Sequence, residues 1–195
     1  MIRKILIITV LIGLMACGEA PPVPTDHFYR LTLPQQGMEK QQLPVDVIYV
    51  GDFRAEGLYN ERALLYTNDS DSRELRQHHY HFWITSPSHL LRDHMIDYLR
   101  RSSTAMVIGE PGSDDGIKLT GKILEFVYQS GNNPGTADVS MELRLHRPDN
   151  DKPVLLKVYS ISEPVNGTNM NEIVAAFNRA TLTIYGQFLQ DFRDL

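Results

Sequence analysis

Cysteine is almost missing from this chain: Cys17 stands alone among 195 residues. One thiol closes no intramolecular disulfide and supplies one ligand where a structural zinc site takes about four. Basic tracts, low-complexity segments and internal repeats are also missing, and the formal net charge is −5. Such a surface does not favour nucleic acid or broad adsorption to anionic headgroups. There is no G-x-S-x-G and no phosphate-cradling glycine loop. No long membrane-spanning run is present either. The apolar stretch ILIITVLIGLMA covers twelve residues, Ile5 to Ala16. As a helix that is about 18 Å, against a hydrocarbon core of roughly 30 Å.

What is there explains the cysteine. Arg3 and Lys4 precede the short apolar core, and Ala16 ends it. A positive start, a brief greasy segment and a small residue describe a secretory signal peptide. Ordinary signal-peptidase cleavage wants a small residue at −3, where this chain has Leu14. The run LMAC instead resembles the lipobox of bacterial lipoproteins, with Leu14 at −3, Ala16 at −1 and then Cys17. Met15 at −2 departs mildly from the small residues common there. In such proteins the thiol and the new terminal amine are acylated, and several chains make a stable anchor at about 0.8 kcal/mol per buried CH₂. Residues 1–16 are therefore read as the signal peptide and 17–26 as a lipidated cysteine with its linker. GEAPPVPTD, three prolines in nine residues, has no apolar periodicity. At about 3.1 Å per residue it spans roughly 28 Å. Gly18 is not the Asp that retains lipoproteins at the inner membrane, so an outer-membrane anchor facing the periplasm of a Gram-negative cell is expected.

Residues 27–195 are read as one periplasmic domain. Losing Arg3 and Lys4 leaves the mature chain near −7. Alternation predicts strands over 27–33, 43–53, 62–68, 74–84, 105–109, 117–129, 137–147 and 153–161. In 43–53 both faces are partly apolar, which reads as a central strand. In 137–147, Val139, Met141, Leu143 and Leu145 point inward, while Ser140, Glu142, Arg144 and His146 point to water. The last three strands, joined by SGNNPGT and RPDNDK, read as an antiparallel meander.

Two helices complete the pattern. The first spans 87–101, with Ser86 as N-cap and Pro87 at the first position. Leu91, Met95, Tyr98 and Leu99 share a face, and Ile96 lies off that stripe. The second spans about 169–192, where Asn169 and Glu172 form a capping-box pattern. Met170, Val174, Phe177, Thr181, Ile184 and Phe188 line one stripe; Ala175, Leu182 and Leu189 widen it, as more core or as a strip for a partner. The expected fold class is α+β: a mainly antiparallel sheet of roughly 7–8 strands with two amphipathic helices packed on it.

Chemistry-bearing residues are sparse. His79 and His81, two apart on a strand, share a face and form a candidate metal pair, though exposed polar positions explain the HHYH run equally. Ser86, Ser88 and His89 sit at a helix start, where capping is the commoner role. Asp114 and Asp115, between Gly112 and Gly116, read as a solvated turn rather than paired acids or a calcium site. No catalytic residue, metal or cofactor is assigned.

Several stretches in order carry a resemblance. FYRLTLP follows soon after the cysteine; then come LPVDVIYVGDF, GLYNERALLYTND and YHFWITSPSHLLRDHMIDYLRRS. The chain resembles the ABC-type transport auxiliary lipoproteins, the PqiC-like partners of MCE-domain transport systems. The matching residues are Tyr29, Arg30 and Leu31; Pro44; Tyr59 and Tyr66; Trp83 and Pro87. YTND lacks the basic residue usual after the tyrosine, and WITSP replaces the commoner small or acidic residues after the tryptophan. The resemblance implies a non-catalytic accessory of an intermembrane lipid transport system. Its partners would be an MCE-domain protein with its permease and ATPase, and it would self-associate as a homo-oligomer. Trp83 and Tyr80, on opposite faces of their strand, join Leu182 and Leu189 as candidate partner contacts. A periplasmic lipid-binding carrier is the alternative and would need a deep apolar pocket. A hydrolase of envelope polymers is a third reading.

Overall fold

The computed structural model describes residues 23–68, 73–109, 116–131, 134–150, 152–167 and 169–195. Cys17, the first part of its linker and the Asp114–Asp115 pair lie outside these residues.

Eight strands form one sheet: β1 (His27–Tyr29), β2 (Val47–Ala55), β3 (Ala63–Thr67), β4 (Arg76–Trp83), β5 (Met106–Ile108), β6 (Ile117–Gln129), β7 (Thr136–His146) and β8 (Pro153–Pro164). Two helices, α1 (Pro87–Ser102) and α2 (Met170–Arg193), complete the fold, and a 3₁₀ turn at Gly57–Asn60 links β2 to β3. The fold is α+β. Its long ladders are antiparallel: β6 with β7 and β7 with β8, the meander expected from the sequence.

The sheet forks at β6. One edge of β6 pairs with β7 along its length. The other is shared end to end: β2 runs parallel to Ile117–Ile123, and β3 parallel to Tyr128 and Gln129. Beyond β2 lies β5; beyond β3 lie β4 and then β1. The path from β1 to β8 crosses five strand spacings, about 24 Å along the sheet.

Both helices cover the same face, α1 over β2 and β5 and α2 over β7 and β8. Leu91, Met95 and Leu99 on α1 and Phe177, Ile184, Phe188 and Phe192 on α2 are buried against Ile48, Leu119, Met141, Leu143 and Leu145. Ile96 finds its place too. It packs on Gly109 just after β5, so close that a Cβ there would stand 2.9 Å from its Cδ1. The helices meet through Tyr185, whose hydroxyl donates to the Leu91 carbonyl at 2.7 Å and whose ring lies 5.3 Å from that of Tyr98. Arg92 ties α1 to the sheet where β2 slips register between Val50 and Phe53. Its guanidinium donates to the carbonyls of Gly51 at 3.1 Å, Val50 at 3.3 Å and Gly109.

The local signals hold with two changes. Asn169 caps α2, accepting from the Glu172 amide at 3.0 Å. Ser86 occupies the N-cap of α1, and its carbonyl accepts from Leu90, but its side chain makes no cap bond. Ser88 donates to Asn60 at 2.7 Å, so the Ser86 hydroxyl donates to Ser88 at 3.1 Å instead. Ser140, expected in water, is buried and bonded to Ser160 across the β7–β8 ladder at 2.7 Å.

The first strand is shorter than the run 27–33 predicts. After Tyr29 the chain leaves the ladder, and the Thr32 amide turns to the Asn178 side chain on α2 at 2.8 Å.

Candidate interaction surface at the amino-terminal sheet edge

β1 is the edge strand to which the linker leads, and it lies parallel on β4 with His27 beside His81, Phe28 beside Phe82 and Tyr29 beside Trp83. Alternation then sorts the side chains. Trp83 goes inward and is buried, 5.0 Å from the Phe126 ring and 5.4 Å from Phe177. Phe28 goes outward, packs on Phe82 at 5.8 Å and carries the Arg62 guanidinium 5.3 Å above its ring.

One residue breaks the alternation. Tyr80 sits at φ +64, the left-handed region that a bulky L side chain avoids, and it alone among the described non-glycine residues does so. Holding it there costs about 1–3 kcal/mol. The antiparallel ladder of β3 with β4 slips in the same stretch. The sequence carries no glycine or asparagine to announce this bulge.

The bulge corrects the histidine expectation. His79 does not share a face with His81. His79 neighbours Tyr80, with rings 6.3 Å apart, while His78 swings to His81 at 5.9 Å. His81 also stacks on His27 at 5.2 Å and meets the Tyr29 hydroxyl through Nδ1 at 2.9 Å. His78 lies 4.3 Å from the Tyr66 ring. Burial, and then the neighbouring His81 and His79, hold the His78 imidazole below its usual titration range. Burial, and then His27, do the same for His81. Among the described residues no group of three ligating side chains is placed to hold a metal.

The four expected contact residues therefore separate. Trp83 and Leu189 are core residues with nothing left to offer a partner. Leu182 is half-buried against the core. Tyr80 is 44% exposed. Of the residues that widen the α2 face, Leu189 is core contact and Ala175 and Leu182 are half-buried.

At another edge of the sheet, β8 pairs only with β7 among the described strands. Its helix-facing side is tied down. Lys157 and Tyr159 both donate to Asp191 of α2, at 2.6 and 2.7 Å, and Arg179 donates to Glu163 at 2.7 Å. The Lys157 and Tyr159 hydrogen bonds hold the Asp191 carboxyl below its ordinary value; burial, and then Asp191, push the Tyr159 phenol up. The other side presents Leu156 and Val158, 52% and 49% exposed, beside Arg144 and Glu142 of β7. The sequence marks this weakly, because strand 153–161 alternates poorly.

Two open clefts lie away from these edges. One, about 370 Å³, runs between Pro44–Val47, Gly116–Ile117 and Arg147–Asp149. The other, about 320 Å³, lies under Pro34–Met38 beside Arg100 and Arg101. Asp46, Arg147 and Asp149 stand among the residues of the first, and Lys40, Arg100 and Arg101 among those of the second.

A family model described as the ABC-type transport auxiliary lipoprotein component matches residues 29–187. The chain belongs to that family. The match begins at Tyr29, the last residue of β1, and ends within α2, so it takes in β2 to β8 and α1 entire. A Xanthomonas campestris protein of family DUF330 has a similar fold, with TM-score 0.69 and 16% identity over 84% of this chain and 92% of its own. A second solved, uncharacterised protein gives 0.68 and 13% identity over 86% and 99%. At these identities the auxiliary lipoprotein shares their fold alone. No curated protein matches the chain.

Proposed function

We propose that the chain is an outer-membrane-anchored periplasmic lipoprotein, acting without catalysis of its own as an accessory of an MCE/ABC-type intermembrane lipid transport system. The observation that carries this is the family match over residues 29–187, which starts one short linker after the lipobox cysteine. Acyl chains on Cys17 would hold the domain at the bilayer. The family's transport role then gives the domain a partner to receive.

The geometry supports a division of the sheet into two ends. The linker enters at β1, so β8, about 24 Å away along the sheet, is free to face the periplasm. We assign the MCE-domain partner to the open side of β8. Leu156 and Val158 there are half-exposed, and covering them would add about 1 kcal/mol each. Arg144 and Glu142 alongside supply a charged rim.

The test is recovery from cells under gentle crosslinking, with Cys17 and its linker intact. The wild-type protein is expected to bring down an MCE-domain protein identified by mass spectrometry. The L156D/V158D variant, equally lipidated, is expected to lose it. Wild-type protein recovered alone would refute the accessory role; equal recovery with both would refute the assignment to β8.

A further inference from the structure

We propose that the β1–β4 edge is a bilayer-contact surface, on which Phe28, Tyr80 and Ile84 rest among the headgroups of the membrane that holds Cys17. This rests on the anchoring reading above and adds an orientation to it.

The argument begins with exposure. Phe28 and Ile84 are each 55% exposed and Tyr80 44%. They gather at one edge: Phe28 lies on β1, Tyr80 on β4, and the Ile84 amide donates to the Tyr29 carbonyl at 2.8 Å. Tyrosine favours the membrane–water interface, where its apolar body and polar tip are both satisfied, and Phe28 and Ile84 add apolar area beside it. Arg62, above the Phe28 ring, places a cation where phosphate groups would lie.

Strain is the second observation. Tyr80 is kept outward by a backbone conformation that tyrosine resists. Nearly half of the Tyr80 side chain stays in water, with His79 as its ring neighbour, and strained residues cluster where a surface has work to do.

The tether decides the occupant. From Cys17 to His27 the chain has ten residues to extend, which is about 31 Å at most in a proline-rich linker. The edge strand itself is therefore never far from the lipid. A patch confined to that shell meets the bilayer at high effective concentration, so a weak contact is enough to orient the domain. The mature chain is net negative. General electrostatic adsorption will not provide this contact, and the local apolar side chains must. A protein partner arriving across the periplasm would meet β8 first.

The test uses the intact lipidated protein on vesicles of phosphatidylethanolamine with a minority of phosphatidylglycerol, doped with a nitroxide-headgroup lipid. Acylation consumes the Cys17 thiol, so Glu61→Cys or Leu156→Cys provides one labelling site for a fluorophore. The label at 61 is expected to be quenched several-fold more than the label at 156. F28S/I84S is expected to erase that difference while the protein still floats with the vesicles and keeps its circular dichroism. Equal quenching at both sites would overturn the proposal, and so would a difference that survives F28S/I84S. Shielding of residue 61 only on adding a protein partner would reassign the edge to that partner. Protein that does not float would remove the anchor, and the orientation with it.

Discussion

His94 offers a sharp test of how the two helices pack. It lies on the inner side of α1, buried, with its ring 5.6 Å from Tyr185 of α2. Among the described residues no hydrogen bond of normal geometry reaches either ring nitrogen. Burial lowers its pKa from 6.5 to about 4, against smaller raising effects from the Thr32 backbone and Asp97; Arg101 adds to the lowering. The sign follows. Between pH 6.5 and 4 the unfolded chain takes up a proton that the folded one refuses, so stability falls as pH falls through that window. It is flat above the window and flat again below it. At about 1.36 kcal/mol per pH unit, with the charge only part-taken near each end, the loss from pH 7 to pH 5 is about 2 kcal/mol. His94→Leu fills similar space without the proton. Urea unfolding of both proteins at pH 7 and pH 5 measures the difference directly. The gap in stability should widen by about 2 kcal/mol in favour of the variant at pH 5, or roughly 4–8 °C in Tm. Other groups titrate in both proteins and cancel. An unchanged gap would mean that His94 is solvated and that the α1–α2 contact is looser than the structure has it.

Three further outcomes follow from single residues. Trp83→Ala removes a ring held between Phe126 and Phe177 and should cost about 3–5 kcal/mol in denaturant unfolding; a loss under 1 kcal/mol would contradict its burial. Tyr80→Asn relieves the positive φ and should raise stability by about 1 kcal/mol, since asparagine tolerates that region; destabilisation would show that the strain is not there. Asn169→Ala should cost about 1 kcal/mol through loss of the α2 cap, read by chemical unfolding, and Asn169→Asp should restore it.

The meander and both helices could be read because each buries one regular face. Val139 to Leu145 alternate, and Phe177 to Phe192 repeat at helical spacing, so local pattern and tertiary burial agree there. The failures share a different cause. The histidine pair was misplaced because a bulge at Tyr80 resets the alternation, and nothing in HHYHFW marks it. The first strand stopped early because the Thr32 amide found a side chain on α2, distant in sequence, in place of a ladder partner. Ile96 had no helical reason to be buried; its reason is Gly109 on the neighbouring segment. Ser86 looked like a cap, but its hydroxyl turns to Ser88, which itself donates to Asn60. Of the candidate contacts, Trp83 and Leu189 were apolar for the core, and solvent exposure is what sequence pattern reports least. The parallel fork at β6 was also invisible, because which strands share an edge depends on contacts far apart in the chain.

Metabolic labelling with a radioactive fatty acid, followed by separation of inner and outer membranes, tests the anchored-accessory account most directly. The wild-type chain should carry the label and band with the outer membrane, and Cys17→Ser should be unlabelled and released. An unlabelled wild-type chain, or a Cys17→Ser chain still processed and fully membrane-bound, would contradict it.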